Sequence, residues 1–329
     1  MRIIAFVNRD SGPAYHRLIM PLLIMPGVDV YITNNLLDEH FEKGCDLFIY
    51  NRVLPQFCLE DISRLKEKYG FKICVDVDDY WELDDHHILY DYYKEQDFAA
   101  QQITQIMYAD FVTTTNTRLA KEIQQYNKAV HVLPNAIPKQ GQFKIAPEPY
   151  HLTRLFWQGS ITHEEDINLL KIPIERLLPI AAKIKMVIAG YHIDEQTWHN
   201  MALTYTFGCK LQYKLLPALP VTSYYEHYKN ADICLVPLVN SRFNRMKSNL
   251  KVLEAANLGL PVIASAVHPY LDMPLIYCKS GEDWVKNIER LSCSKKRQQD
   301  AGAELAEFCN KHFNFNKINK ERKQIYESR

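Results

Sequence analysis

The chain has 329 residues, 47% of them hydrophobic and 24% charged, with 39 basic and 39 acidic side chains. That length is comfortable for two domains, and the zero net charge excludes a global field drawing the chain to DNA or anionic lipid. No apolar run approaches the ~20 residues that span a bilayer, and MRIIAFVNRDSG meets a polar turn too early for a signal peptide, so a cytoplasmic protein without an integral membrane segment is expected.

Short β-branched runs alternate with helical stretches from the first residue. RIIAFVN reads as a strand, followed by a helix over residues 15–23. VDVYITN, DLFIYNRV and FKICVDV are further strands, and LEDISRLKEKYG between the last two has helical apolar spacing and a glycine stop. The pattern predicts one long helix over 88–108, the strand ADFVTTT, the helix NTRLAKEIQQYN and the strand VHVLPNAI. Residues 138–152 hold three prolines and a glycine without periodicity, and read as a linker. The alternation resumes with RLFWQGS, a single helix through DINLLKIPIERLLPIAAKI, the strand KMVIAGY and then KLQYKLLPAL. ADICLVPL, a helix over about 250–258 and LPVIASAV follow, then helices from about 295 to 311 and from 317. Strands alternating with helices imply an α/β fold of two doubly wound, Rossmann-like parallel-sheet domains facing a cleft. The expected boundaries are 1–137 and 153–310, with the helix of 311–329 packing back on the first domain. Eight cysteines (Cys45, Cys58, Cys74, Cys209, Cys234, Cys278, Cys293 and Cys309) show no C-x-x-C pair, so reduced, mostly buried thiols are expected.

The most informative segment is NSRFNRMKSNLKVLEAANLGLPVIAS, residues 240–265. Ser248 or Asn249 is placed to cap a helix that Gly259 and Pro261 end. Arg242, Arg245 and Lys247 gather before it, and Lys251 and Glu254 lie three apart on one side. A pyrophosphate suits a helix N-terminus flanked by cations, and a carboxylate one turn in suits ribose hydroxyls. The bland alternative is a solvated basic loop before a core helix, with Lys251 and Glu254 as a surface pair.

The run SNLKVLEAANLGLPVIAS resembles the donor-binding helix of the retaining glycosyltransferases often called group 1, which have the GT-B architecture. In that family an E-x7-E motif ends in a Glu that binds the nucleotide ribose, and Glu254 matches it. The first Glu falls at Met246, a departure that bears on the sugar contacts. The family's diphosphate-holding Arg and Lys after the first C-domain strand are replaced by QGSITHEED, which offers Gly159, Ser160 and His163. YYEHYKNADICLVPL, VLPNAI and GPAYHRLIMPL, with Gly12 and Arg17, resemble other family segments in order. The resemblance implies a C-terminal nucleotide-sugar domain and an N-terminal acceptor domain. By inference from the residues, and not from that resemblance, Lys247, Lys251 and Arg242 are expected to take over the diphosphate, and Tyr191 or backbone near 216–219 to hold the base. His192 is a second candidate contact. No metal or other cofactor is implied.

VDVDDYWELDDHH, residues 75–87, crowds carboxylates at a strand end beside two aromatics. Three readings stand: Asp78 and Asp79 as acceptor or catalytic contacts, an acidic structural cap, or a divalent metal site. The function expected is transfer of a sugar from a nucleotide-sugar, a UDP-sugar foremost, to a hydroxyl of a surface glycan or of a modified phage DNA base. A basic surface for DNA would need Arg17, Arg52, Arg118 and the 242–251 stretch. The alternatives are a non-catalytic nucleotide-sugar binding protein and a Mg-dependent phosphotransferase using the DVDD stretch.

Overall fold

The computed structural model describes residues 1–7, 11–139, 152–191, 196–206, 208 and 210–328. Most of the expected linker and His192 lie outside the described residues. The chain divides into two compact units. One comprises Met1–Ala136, Arg245–Ser248 and Phe313–Arg329, and the other Ile137–Asn244 and Asn249–His312.

The first unit is built on a six-stranded, wholly parallel sheet. Its strands are β1 (Arg2–Phe6), β2 (Asp29–Thr33), β3 (Leu47–Asn51), β4 (Lys72–Val77), β5 (Phe111–Thr114) and β6 (Val130–Val132), in the order β2-β1-β3-β4-β5-β6. The central strands are mostly buried because helices cover both faces of such a sheet. Ile3, Ala5, Ile49, Cys74 and Phe111 pack in one cluster with Leu18, Leu22 and Tyr326. Tyr326 comes from the helix Phe315–Glu327, whose Asn319 donates to the Pro21 carbonyl (3.0 Å) and whose Lys323 donates to that of Pro26 (2.8 Å).

The second unit repeats the plan with β7 (Thr153–Gln158), β8 (Ile184–Tyr191), β9 (Gln212–Pro217), β10 (Ile233–Val236), β11 (Val262–Ser265) and β12 (Ile276–Cys278). The order is β12-β11-β10-β7-β8-β9, again all parallel. Its core joins Leu155, Trp157, Ile188 and Leu235 to Trp284 and Ile288 of the helix Gly281–Ser292. Six cysteines among the described residues are free thiols, and all but Cys293 are buried. Among the described residues no helix is long and apolar enough to cross a membrane.

Several elements differ from the sequence expectation. The long helix over 88–108 is two, Tyr90–Glu95 and Phe98–Tyr108, because Asp97 adopts a left-handed conformation (φ 51°) between them. The helix after β7 breaks into Glu164–Asn168, Lys171–Arg176 and a 3₁₀ segment Leu178–Lys183, with Pro173 and Pro179 in its path. β12 and the helix Gly281–Ser292 were not foreseen at all, although SGED at its start is a capping box: Ser280 accepts from the Asp283 N–H and Asp283 accepts from Ser280.

One glycine fixes how the helix Lys295–His312 lies in its unit. A Cβ at Gly302 would stand 1.9 Å from the Gly259 carbonyl oxygen and 2.7 Å from its carbon. Backbone cannot yield as a side-chain tip does, so Gly302→Ala is expected to cost roughly 2–4 kcal/mol of unfolding free energy in urea titrations. Ala303→Gly on the same helix serves as the control and should cost about 1 kcal/mol.

Candidate functional site

In doubly wound sheets ligands collect beyond the carboxyl ends of the strands, where the chain reverses its direction of travel across the sheet. In the first unit that point lies between β1 and β3, and in the second between β7 and β10.

At the first unit's reversal point the charges are paired. Arg52, just past β3, donates to Asp78 through Nε (2.6 Å) and Nη2 (2.9 Å), and to Asp79 through Nη2 (2.6 Å). Asn51 adds a bond to Asp78 (3.2 Å), and the Arg52 N–H donates to the Asp76 carbonyl (2.8 Å). Arg52 holds this position at φ 61°, a conformation that costs a non-glycine residue about 1–2 kcal/mol. Burial works to raise the Asp78 pKa, but the charge and hydrogen bonds of Arg52 outweigh it and hold Asp78 below the usual carboxylate range. Asp79 is pushed up, first by burial and then, against Arg52, by the charge of Asp78; Lys247 pulls the other way. The two carboxylates are thus separated in character, with Asp79 the better holder of a proton.

Arg17 is buried one layer deeper. Nε and Nη2 bind both oxygens of Asp76 (3.0 and 2.8 Å), and Nη1 donates to the Leu133 carbonyl (2.6 Å) and to Asn135 (3.0 Å). Four of its five N–H groups are therefore spent inside the unit, which makes Arg17 a buried strut where the sequence suggested a donor contact. Gly12 opens the helical run at 12–23, after the cap of Ser11, with no atom within 4 Å of where a Cβ would stand. Ser248 accepts from Asn135 (2.9 Å), and the Met246 and Lys247 carbonyls accept from Asn116 (2.8 and 3.3 Å).

In the second unit the turn after β7 is held tightly. A Cβ at Gly159 would lie 2.8 Å from the Trp157 ring and 3.3 Å from His163, and one at Gly190 would lie 2.5 Å from the Gly159 carbonyl oxygen. Gly190 also has φ 94°, so this close approach needs glycine twice over. Ser160 and Thr162 share a hydrogen bond (2.6 Å). His163 Nδ1 lies 2.8 Å from Asp166 Oδ2, while Asp166 Oδ1 accepts from the Val239 N–H (2.8 Å) and Asn244 Nδ2 (3.0 Å). Asp166 thereby ties the loop after β7 to the loop after β10, one on each side of the reversal point.

The helix Leu250–Asn257 starts from Asn249. Its Lys251 ammonium lies over the Trp157 ring, 5.8 Å from the centroid. Glu254 is buried, and its two carboxylate oxygens accept the hydroxyls of Tyr224 and Tyr228, the latter at 2.7 Å. Burial pushes the Glu254 carboxyl up, against these two hydroxyls and Lys251. Arg242 is exposed on the short helix Arg242–Arg245. The side chain of Tyr191 lies outside the described residues. A cavity of about 420 Å³ opens at the carboxyl ends of β10, β11 and β12, lined in part by Val239, Ser265, Val267, Lys279 and Ser280. Sequence reasoning missed Asp166, Asn244, Gly190 and the two tyrosines. AGY at a strand end, the acidic run HEED and the tyrosines of YYEHYK were the signals.

Residues 153–292 match the family model described as Glycosyl transferases group 1. Over this segment the chain is similar to the group 1 glycosyltransferases. Together with the two parallel sheets it gives the chain a two-domain GT-B fold. Among solved structures, Anabaena HepE, in complex with UDP and glucose, aligns with a TM-score of 0.65 at 11% identity over 100% of both chains. An α-glucosyltransferase in complex with UDP and a 13-mer DNA containing an HMU base aligns with a TM-score of 0.66 at 13% identity over 99% of both. A variant of S. aureus TarM in a complex that includes UDP aligns with a TM-score of 0.61 at 11% identity over 85% of this chain and 55% of TarM, so the chain spans about half the length of TarM. No curated protein matches the sequence.

Folding of the first unit carries a pH signature beside this site. His16, next to Arg17, is buried, and burial followed by the Arg17 charge lowers its pKa from 6.5 to about 4. Folding therefore requires neutral imidazole: the stability is complete above pH 6.5 and drains away as pH falls towards 4. The loss should reach roughly 3 kcal/mol, and His16→Gln should flatten that part of the urea-midpoint profile relative to wild type.

Proposed function

We propose that the chain transfers a glycosyl group from a UDP-sugar to a hydroxyl acceptor, with the donor held by the second unit and the acceptor approached by the carboxylates of the first. The observation that carries this reading is the similarity to the group 1 family over residues 153–292, with Glu254 on its helix at the position of the family's ribose-binding carboxylate. UDP in the complexes of HepE, TarM and the α-glucosyltransferase supports uridine as the donor base. In the reaction the bond from the anomeric carbon to the diphosphate breaks, a bond to the acceptor oxygen forms, and the acceptor proton leaves. Glu254 binds the ribose hydroxyls, Lys251 with Arg242 and Lys247 neutralises the departing diphosphate, and 159–160 gives the close backbone approach. Asp79, with its raised pKa, accepts the proton, and Asp78 with Arg52 fixes its place.

A glycan is favoured over DNA as acceptor. Residues 76–97 carry nine carboxylates and one lysine, and Arg17 and Arg52, two of the cations a DNA surface would need, are already bound to Asp76, Asp78 and Asp79. The same occupation of Asp78 and Asp79 by Arg52 argues against a magnesium-dependent phosphotransferase.

Thermal shift against UDP, GDP, CDP and ADP tests the donor site. UDP near 100 times its Kd should add about 2.7 kcal/mol, a shift of a few degrees, and Glu254→Ala should abolish it. A folded protein that no nucleotide stabilises would remove the reading. Asp79→Asn should keep the UDP shift and lose roughly 100-fold or more in transfer rate. Steeply salt-dependent binding of a fluorescent duplex would move the acceptor from glycan to DNA.

A further inference from the structure

We infer that the segment of the first unit that follows Asp78 and Asp79, residues 82–98, is an acceptor subsite: an ordered aromatic face, rimmed by carboxylates, that takes uncharged pyranose rings of a glycan chain beyond the ring that reacts. The inference rests on the transfer reading above and names the class of acceptor.

The two aromatics nearest the carboxylates in sequence, Tyr80 and Trp81, are only 4% and 3% exposed and belong to the core. The rings offered to solvent come later. None of residues 82–97 is buried, although they include Leu83, Ile88, Leu89 and three tyrosines. Ile88 is 54% exposed and Tyr92 53%. Apolar side chains left in water on an ordered segment with a polar rim mark an interaction surface.

The segment is held in shape by its own contacts. The His87 N–H donates to the Asp84 carbonyl (2.9 Å), that of Tyr90 to His87 (2.8 Å) and that of Tyr93 to Leu89 (2.9 Å), which leads the chain into the helix Tyr90–Glu95. After the left-handed residue Asp97, the Phe98 ring comes to lie 5.7 Å from that of Tyr92 and 4.8 Å from that of Tyr93. Tyr92 and Tyr93 meet edge to face at 6.4 Å. Three rings thus steady one another, and a ligand meets a surface already formed. Tyrosine adds large contact area at the cost of few torsions. Tyr93 also stands close enough to Arg52 to interact with it electrostatically, so the aromatic face adjoins the cluster of Arg52, Asp78 and Asp79.

The chemistry of the occupant follows from this composition. A pyranose presents a face of C–H groups and a belt of hydroxyls. A tyrosine ring, negative on its face, suits the first, and carboxylates accept hydrogen bonds from the second. Residues 82–97 supply six carboxylates and one lysine, Lys94, whose ammonium lies over the Tyr90 ring (5.8 Å). Such a rim repels phosphodiester and uronate chains, an anionic lipid surface and a second copy of the same face. An uncharged glycan meets no such repulsion.

The test is binding of the full chain to immobilised oligosaccharides of increasing length, with duplex DNA alongside. The uncharged probes are malto-, cello- and chito-oligosaccharides, and the anionic probes are oligogalacturonates. Wild type is compared with Tyr92→Ala, Tyr92→Phe and Ile88→Ser, each first shown to unfold cooperatively. Wild type should bind an uncharged series with affinity that rises with length. Tyr92→Ala should lose about tenfold on the longer members, and Tyr92→Phe should retain them, because the ring and not the hydroxyl makes the contact. Ile88→Ser should weaken the same members. Binding that neither Tyr92→Ala nor Ile88→Ser changes, binding confined to oligogalacturonates or duplex, or no binding of any uncharged series overturns the inference. The UDP thermal shift on the same samples keeps the two readings apart. A UDP shift lost in Glu254→Ala, beside glycan binding indifferent to Tyr92, leaves the donor site and removes the aromatic subsite. Ring-dependent glycan binding without any nucleotide shift leaves the aromatic surface and removes the transfer reading.

Discussion

A buried arginine is tolerable only when nearly every N–H finds an acceptor, and the first unit is arranged around meeting that demand. Arg17 is 1% exposed, and it joins the helical run after β1 to Asp76 at the end of β4 and to the segment after β6. Asp76 in turn accepts from Thr113 on β5 (2.6 Å). Removing either partner leaves a charge without solvent, which costs about 3–5 kcal/mol in comparable buried pairs. The second unit has its counterpart at the opposite ends of its strands, where Arg154 on β7 pairs with Asp232 before β10 (2.9 Å). There the pair closes the sheet from below and leaves the carboxyl ends of the strands to other work.

The two carboxyl-end surfaces are therefore of different kinds. In the first unit arginine answers aspartate, and the net result is a cluster of carboxylates, two of them with unlike proton affinities. In the second, glycines bring two backbone turns together, and a single aspartate holds the loops on either side at a fixed separation.

Much of this was legible in the sequence because it depends on local pattern. Apolar runs of four to six residues followed by turns located most strands, and the helix of Glu254 was found from the glycine stop and the apolar face, although neither Ser248 nor Asn249, the expected caps, makes a side-chain cap at its start. What was not legible depends on partners far apart in sequence. Arg17 reads as a surface cation until Asp76, Leu133 and Asn135 are brought to it. Asp166 reads as one more acid in HEED until Val239 and Asn244 arrive from the next reversal of the chain. Asp97 in a left-handed conformation ended a helix whose periodicity ran on past it, since apolar spacing carries no information about one dihedral angle. β12 escaped because three residues are too few to show alternation.

The first unit is assembled from three stretches of chain, the last of them Phe313–Arg329, and Asn319 finds its acceptor on Pro21 at a separation of 298 residues. Along the chain the strands of this unit come before the second unit, yet Tyr326, which packs in their core, comes after it. Those strands must then wait, at a synthesis rate of about 5–20 residues per second, for a cover that arrives only after the whole second unit has been made. Leu18, Leu22 and Phe111 lack the Tyr326 contact for that interval, so the burden on chaperones falls on the unit whose strands precede the other.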